Sequence, residues 1–385
     1  MRILHTSDWH LGRIFHGVHL TDDQSYILEQ FVQLVIDQKP EVVLIAGDVY
    51  DRSVPPIEAV RLLDEVLSRI LLDARVPVIL IAGNHDSPER LEFGASLLAR
   101  QGLHIAGQPG EANLPVIIND SAGPVCFCPI PYAEPSVVRA KLAAPDAIDH
   151  NRAMQCLVRQ VTSLVPRDAR AVALAHAFVA GGEGSESERP LSIGGSGMVE
   201  ASCFQPFHYV ALGHLHQPQN VGGNHIRYAG SLLKYSFAET ARQKSVTLVD
   251  MDGAGEIVLN TISLSPRREV RCLEGCISEL LAGPQNGESK EDYLMVTLTD
   301  QGAILDAIGK LREVYPNVLH IERPHLLEGG ELRGPGGDHR RLNELDLFSS
   351  FFEQVTGAPL SDGQARAFTE TVEALYRQNR EVISR

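Results

Sequence analysis

Residues able to do chemistry fall in five places along this chain, each just past a short apolar run. They are Asp8 and His10 in RILHTSDWH, and Asp48 and Asp51 in EVVLIAGDVYD. Asn84, His85 and Asp86 follow in VPVILIAGNHD, then His176 in AVALAHA, then His214 and His216 in YVALGHLH. Imidazole and carboxylate donors without thiolate suit manganese, iron or zinc rather than a structural zinc site. Two such ions about 3.5–4 Å apart can clamp the attacking and leaving oxygens of a phosphate ester. One carboxylate must then bridge them. Each motif alone is weak, because Asp-x-His is common and a single His after a strand is more often a satisfied core residue. Their combination, in this order, predicts a metal centre.

A buried strand delivers the residues just past its end to one edge of a sheet, and ligands of open α/β sheets bind at the carboxyl ends of the strands. Glycines before Asp48, Asn84 and His214 are expected to let the backbone turn sharply there. Between the strands, residues 23–37 place Ile27, Leu28, Phe31, Val32 and Val35 on one helical face, ending at Lys39-Pro40. Residues 56–74 repeat the pattern with Val60, Leu63, Leu67, Ile70 and Leu71. Ser87-Pro88 reads as an N-cap with proline at the first helical position, and Gly102 as the end of that helix. Strand and helix in alternation predict a sheet covered by helices.

After residue 105 the strands shorten. Residues 181–197 (GGEGSESERPLSIGGSG) have no apolar period and are expected to form a mobile loop. Residues 244–250 and 256–264 read as a hairpin that closes the first domain. A second unit begins near Ser265, with a strand over 293–299, a helix over 303–314 and a strand over 318–322. The linker EGGELRGPGGD precedes two amphipathic helices. One carries Leu342, Leu345, Phe348, Phe352 and Val355 up to Gly357, the other Phe368, Val372, Leu375 and Tyr376.

A chain of 385 residues suggests two or three domains, and 44% hydrophobic with 22% charged residues is ordinary for a globular protein. No apolar run approaches the roughly 20 residues of a membrane helix. The first residues enter a strand with no signal core, so no membrane and a cytoplasmic location are expected. Six cysteines fit a reducing compartment. Cys126 and Cys128 are expected to share a face in the core, and Cys272-x3-Cys276 lacks the second pair a zinc site needs. A net charge of −15 argues against binding nucleic acid through bulk charge alone. It does not exclude a nuclease, since bound divalent ions dominate the local field. Arg13, Arg52, Arg90, Lys234, Arg242, Lys244, Arg267 and Arg268 are candidates for phosphate contacts.

Taken together, these motifs over about residues 1–265 resemble the calcineurin-like metallophosphoesterases. The resemblance implies an α/β fold, a metallophosphoesterase αββα sandwich over 1–265, a small α/β cap domain over 266–330 that binds DNA, and a linker with a helical tail over 331–385. It makes Asp48 the bridging ligand. Asp8, His10 and His216 would complete one metal, and Asn84, His176 and His214 the other. A hydroxide bridging the ions would be the nucleophile. His85 would be the general acid, with Asp51 holding its ring, and Asp86 would cap its turn. Resemblance and ligand type together imply two divalent ions, manganese foremost.

The stretches MRILHTSDWHLG, AGDVYDRSVPP, AGNHDS, YVALGHLHQPQ and RYAGSLLKYSF are similar, more finely, to nuclease subunits of bacterial complexes built with an ABC-type ATPase that carries a long coiled coil. This implies an ATP-dependent exonuclease on double-stranded ends and endonuclease on single strands and hairpins, at work in DNA replication, recombination and repair. It also implies a homodimer joined through helices of the first domain, within a heterotetramer of two ATPase and two nuclease chains. The tail helices would dock onto the ATPase coiled coil. Two other readings exist. Gly-Asp-Val-Tyr-Asp-Arg-Ser is close to the protein-phosphatase pattern Gly-Asp-x-x-Asp-Arg-Gly, but the third motif ends in Asp86 where phosphatases carry Glu. A non-catalytic protein that only binds DNA ends would tolerate a lost ligand, and every position here is filled.

Overall fold

The computed structural model describes residues 1–110, 114–188, 197–284, 287–300, 302, 304–324, 344–356 and 358–383. The chain divides into two compact units, Met1–Arg267 and Arg268–Arg385.

Five strands carry the chemistry-bearing residues: β1 (Arg2–Thr6), β2 (Val42–Ala46), β3 (Val78–Ile81), β4 (Arg170–His176) and β5 (Tyr209–Gly213). They belong to two six-stranded sheets. The first runs Ile257–Ser263, Ser245–Met251, β1, β2, β3, Leu103–Ala106. The second runs Gln219–Asn220, Ile226–Tyr228, β5, β4, Gly123–Ile130, Val116–Asp120. Strands β1, β2 and β3 are mutually parallel, as are β4 and β5, so each set ends at one edge of its sheet.

Alternation decides which side chains meet. Ile3, Val42, Leu44, Ile79 and Ile81 pack across onto Val125, Phe127, Val172, Leu174 and Ala211, filling the space between the sheets. The intervening residues of the second sheet, among them Cys128, Ala173, Ala175 and Leu212, face Met154, Leu157, Val158 and Val161 of the helix His150–Thr162. A large aliphatic side chain contributes about 1.5–3 kcal/mol on burial. The apolar strands therefore set the register, and the polar clusters are carried to their edge by it.

Helix α1 (Thr21–Gln38) buries Ile27, Leu28, Phe31, Val32 and Val35 and ends at Lys39, whose φ of 48° stops the helix while its N–H caps the Val35 carbonyl. Helix α2 (Ile57–Ser68) continues as a π-helical turn, Arg69–Asp73. Its buried stripe is Ala59, Leu62, Leu63, Val66 and Leu67 rather than one through Val60, which is 44% exposed. The helix expected from Ser87 to Gly102 is broken into Pro88–Leu91, Ala95–Leu98 and a 3-10 turn, with Gly94 at φ +76° making the break. Ser87 makes no side-chain cap. The hairpin of Ser245–Met251 and Ile257–Ser263 forms as read.

In the second unit three parallel strands, Val270–Gly275, Tyr293–Leu298 and Val318–Glu322, pack on the helix Ala307–Val314 around Leu294, Val296, Leu298 and Leu311. The first of these strands was not read from the sequence, where Val-Arg-Cys-Leu-Glu-Gly carries little apolar signal. The helix starts at Ala307 instead of 303 because the Asp306 side chain caps it, accepting from Gly309 N–H. The last two helices are Glu344–Thr356 and Asp362–Ile383, with Phe348 stacked on Phe368 at 4.0 Å between ring centroids. The linker 328–338, Leu342, Gly357 and the side chains of Val355, Leu375 and Tyr376 lie outside the described residues. No described helix is long and apolar enough to cross a membrane.

Candidate metal centre

The loops that leave the site strands adopt backbone conformations that L-residues rarely take. Asp8, His10, Asp48 and His214 have φ of 52°, 46°, 49° and 109°. Such residues cost of order 1–3 kcal/mol each and persist only where surrounding bonds over-determine them. Here Asp8 N–H donates to the Gly47 carbonyl and His10 N–H to that of Asp48, both at 3.0 Å. His214 N–H donates to Oδ1 of Asp8 at 3.0 Å, which joins the two sheets.

The three glycines do different jobs. Gly47, at φ +90°, makes the turn after β2 as expected. Gly83 and Gly213 lie outside the left-handed region and are needed for room instead. A Cβ on Gly83 would stand 2.1 Å from Oδ1 of Asp48, and one on Gly213 1.9 Å from the Ala46 carbonyl oxygen. That carbonyl also accepts from Nδ1 of His176 at 2.9 Å, so the sheets meet backbone to backbone at this edge.

All seven expected ligands converge. The donor atoms of Asp8, His10 and His216 lie within 4.8 Å of one another, and so do those of Asp48, His176 and His214. Oδ2 of Asp48 sits between the groups, 3.4 Å from Nε2 of His176 and 3.7 Å from Nε2 of His10. Oδ1 of Asn84 is 2.9 Å from Nε2 of His176 and 3.1 Å from Nδ1 of His214. Nε2 of His10 and Nε2 of His216 face each other at 3.0 Å.

His85 stands beside these groups, its Nε2 4.0 Å from Asp48 Oδ2. Its ring is held from behind, but by the main chain of Asp51: Nδ1 lies 2.8 Å from the Asp51 carbonyl oxygen. A carbonyl only accepts, so Nδ1 carries the proton and Nε2 faces the site. The Asp51 carboxylate, expected to hold that ring, pairs with Arg13 at 2.9 Å and lies 3.6 Å from Nδ1 of His10. Asp86 turns away and accepts from the N–H groups of Val49, Tyr50 and Gly83, capping the turn.

Burial dominates the electrostatics. It pushes the Asp8 carboxyl up to about 6, holds His10 well below the usual imidazole range and brings His214 down to about 3. Burial also opposes ionisation of Asp48, but His176 beside it holds that carboxyl well below the usual range. Asp48 in turn lifts His176 to about 9 against the effect of burial. Nδ1 of His10 is buried without a hydrogen-bond partner. Neutral nitrogens turned toward one another around carboxylates are arranged as electron-pair donors with too little positive charge among them. An N/O set of this kind fits divalent ions such as manganese. Among the described residues no cysteine joins a candidate metal group.

Several residues around the centre escaped the sequence reading. Gln24, buried on α1, donates to the carbonyls of Trp9 and His10 and accepts from Gly12 N–H, fixing the loop after β1. The segment from Gly181, expected to be mobile, is tied down as far as Glu188: Ser187 Oγ lies 2.5 Å from Nδ1 of His216, and Glu188 accepts from His216 N–H. Residues 189–196 of that loop lie outside the described residues. Lys234 and Lys244, suggested for phosphate contacts, are 9% and 4% exposed and are bonded inward, to Thr240 O and to Glu239.

The calcineurin-like phosphoesterase family matches residues 1–218, and the type 5 capsule protein repressor C-terminal domain matches residues 266–356. SbcD, the nuclease of the SbcCD pair, from Staphylococcus saprophyticus subsp. saprophyticus is 32% identical over 378 residues, 98% of this chain and 99% of that one. Among solved structures, TT1561 of Thermus thermophilus covers 68% of this chain and 98% of its own at 14% identity and TM-score 0.39. A dimetal phosphatase from Danio rerio covers 68% and 96% at 10% identity and TM-score 0.39. The chain belongs to the calcineurin-like phosphoesterase family, in the branch of the SbcD nucleases.

Proposed function

We propose that this chain is a DNA nuclease with a dinuclear metal centre, the SbcD component of an SbcCD-type complex. The observation that carries the chemistry is the Asp48 carboxylate between two buried donor groups, with His85 beside them and held by its far nitrogen. Asp8, His10 and His216 would hold one ion, Asn84, His176 and His214 the other, and Asp48 both. When bound, such ions polarise the phosphate and lower the pKa of a bound water toward neutrality. The remaining work belongs to the chain. The Asp51 carbonyl fixes the His85 ring so that Nε2 faces the site and can hand a proton to the departing oxygen. The left-handed turns hold Asp8, Asp48 and His214 in place before substrate arrives, so little reorganisation is needed.

The choice of DNA over other phosphate esters rests on the nuclease relative at 32% identity over nearly the whole chain. With it come the finer elements of the reading: exonuclease action on double-stranded ends, endonuclease action on single strands and hairpins, and roles in replication, recombination and repair. The partner would be an SbcC-type ABC ATPase, in a heterotetramer of two SbcC and two SbcD chains, in the cytoplasm. The cap over 266–330 would contact DNA, and the helices of 331–385 would dock onto the SbcC coiled coil. Manganese is the metal we assign. Protein stripped of metal and resupplied with manganese should cut end-labelled single- and double-stranded DNA and leave a phosphoserine peptide intact, with Asp48→Ala inactive. Turnover of the phosphopeptide with intact DNA would move the chain to the phosphatase branch.

A further inference from the structure

His216 is gripped at every polar atom it owns outside the donor cluster. Its N–H donates to Glu188 Oε1 at 2.8 Å. Its carbonyl accepts from Lys244 Nζ at 2.7 Å and from Ser231 N–H at 3.1 Å. Its ring nitrogen Nδ1 lies 2.5 Å from Ser187 Oγ, which lies 2.5 Å from Glu239 Oε1. The other oxygen of Glu239 forms an ion pair with Lys244 at 2.5 Å. Ser187, Glu239 and Lys244 are 9%, 3% and 4% exposed, so this network is closed to water. They come from three separate places: the segment before residue 189, the 3-10 turn Phe237–Glu239, and the residue ahead of the strand Ser245–Met251.

The direction of each bond follows from what each group can do. The Glu239 carboxylate, paired with the Lys244 ammonium, only accepts. Ser187 has one hydroxyl proton. Were it given to His216, two oxygens at 2.5 Å would face each other with no proton between them. The proton therefore goes to Glu239, and Ser187 must accept from His216. That requires Nδ1–H on His216 and leaves the lone pair on Nε2, the atom that faces Nε2 of His10 beside Asp8.

We infer that Lys244, Glu239 and Ser187 form a positioning relay that fixes the tautomer and ring orientation of His216, so that Nε2 is presented to one of the two metal positions. The inference rests on the metal-centre reading above and deepens it: the relay serves the Asp8/His10/His216 group and leaves the Asn84/His176/His214 group untouched. His176 reaches the same tautomer by a simpler route, through the Ala46 carbonyl. Outer partners of this kind orient metal-binding imidazoles, and their loss typically lowers metal affinity about 10–100-fold.

Two measurements on the full chain test it. In metal-free protein labelled with 15N-histidine, with the signal assigned by His216→Gln, His216 should be the Nδ1–H tautomer. Ser187→Ala should move it toward the Nε2–H form or a mixture, and Ser187→Thr, which keeps the hydroxyl, should restore it. In a calorimetric manganese titration, Ser187→Ala should weaken one binding step about 10–100-fold and leave the other at the parental value. An unchanged tautomer in Ser187→Ala, or equal weakening of both steps in a variant that still melts cooperatively, would overturn the relay. A parent that takes up no manganese would instead sink the metal-centre reading, and the tautomer result would still decide the relay.

Discussion

The Asp51 main-chain carbonyl lies 2.8 Å from Nδ1 of His85, while the Asp51 carboxylate points elsewhere, to Arg13. A main-chain bond of this kind survives replacement of the Asp51 side chain, so the two residues should separate cleanly by mutation. His85→Gln removes the proton donor and should lower turnover by about 10²–10⁴-fold with metal content equal to the parent's. Asp51→Ala leaves the carbonyl in place, so it should lower turnover by less than His85→Gln does. Metal analysis beside a DNA-cleavage assay checks both. Metal content far below the parent's in His85→Gln would make His85 a ligand and break this assignment.

Gly83→Ala tests the packing at the heart of the site. Its Cβ would meet both the side chain and the backbone nitrogen of Asp48 far inside van der Waals distance, so something must shift. Overpacking of this order costs about 1–3 kcal/mol. The expected outcome is a folded protein with a lower melting point and weakened uptake of both ions, since Asp48 faces both groups. Calorimetric titration and a melting curve read the two effects.

Much of this site was legible in the sequence because its ligands sit next to strands, and strands announce themselves by apolar runs. Asp8, Asp48, Asn84, His176 and His214 each follow one directly. The residues that hold them in place were not legible. Ser187 and Glu239 reach His216 from 29 and 23 positions away in the chain, in a polar loop and a short turn that carry no periodic signal. Gln24 sits within an amphipathic helix where a buried amide looks like one more polar residue. The role of Asp51 was misassigned to its carboxylate because sequence shows side chains and not carbonyls. The break at Gly94 was missed because a lone glycine within a helical pattern is often tolerated.

Acid stability should depend on a pair remote from the metals. Asp120 and Arg170 form a two-pronged ion pair at 2.5 and 2.9 Å, with side chains 5% and 6% exposed. The Arg170 guanidinium holds the Asp120 carboxyl well below the usual carboxylate range. A depressed folded-state pKa contributes stability that is present above the unfolded value, near pH 4, and is lost as pH falls below it. Asp120→Asn should therefore lower stability at pH 7 by about 1–3 kcal/mol, between the effect of an exposed pair and that of a fully buried one. The gap to the parent should narrow in urea melts repeated at pH 5, 4 and 3. A gap that widens toward low pH would contradict the pairing.

The tail offers a surface that can be altered without touching its own packing. Leu347 and Phe351 are 45% and 60% exposed on the helix Glu344–Thr356, while Phe348 stacks on Phe368. The double variant Leu347→Asp/Phe351→Asp, and deletion of residues 339–385, should both abolish co-elution with an SbcC-type partner on a sizing column. The nuclease activity of the isolated chain should remain. Undiminished complex formation by both would refute docking through the tail.

The most direct test of the account is to locate the ions. Crystals of metal-stripped protein soaked in manganese, measured at a wavelength where manganese scatters anomalously, should give two peaks about 3.5–4 Å apart. Asp48 should touch both, with Asp8, His10 and His216 around one and Asn84, His176 and His214 around the other, and no peak within bonding distance of His85. A single peak, or a second one on the His10, Asp51 and His85 group, would contradict it.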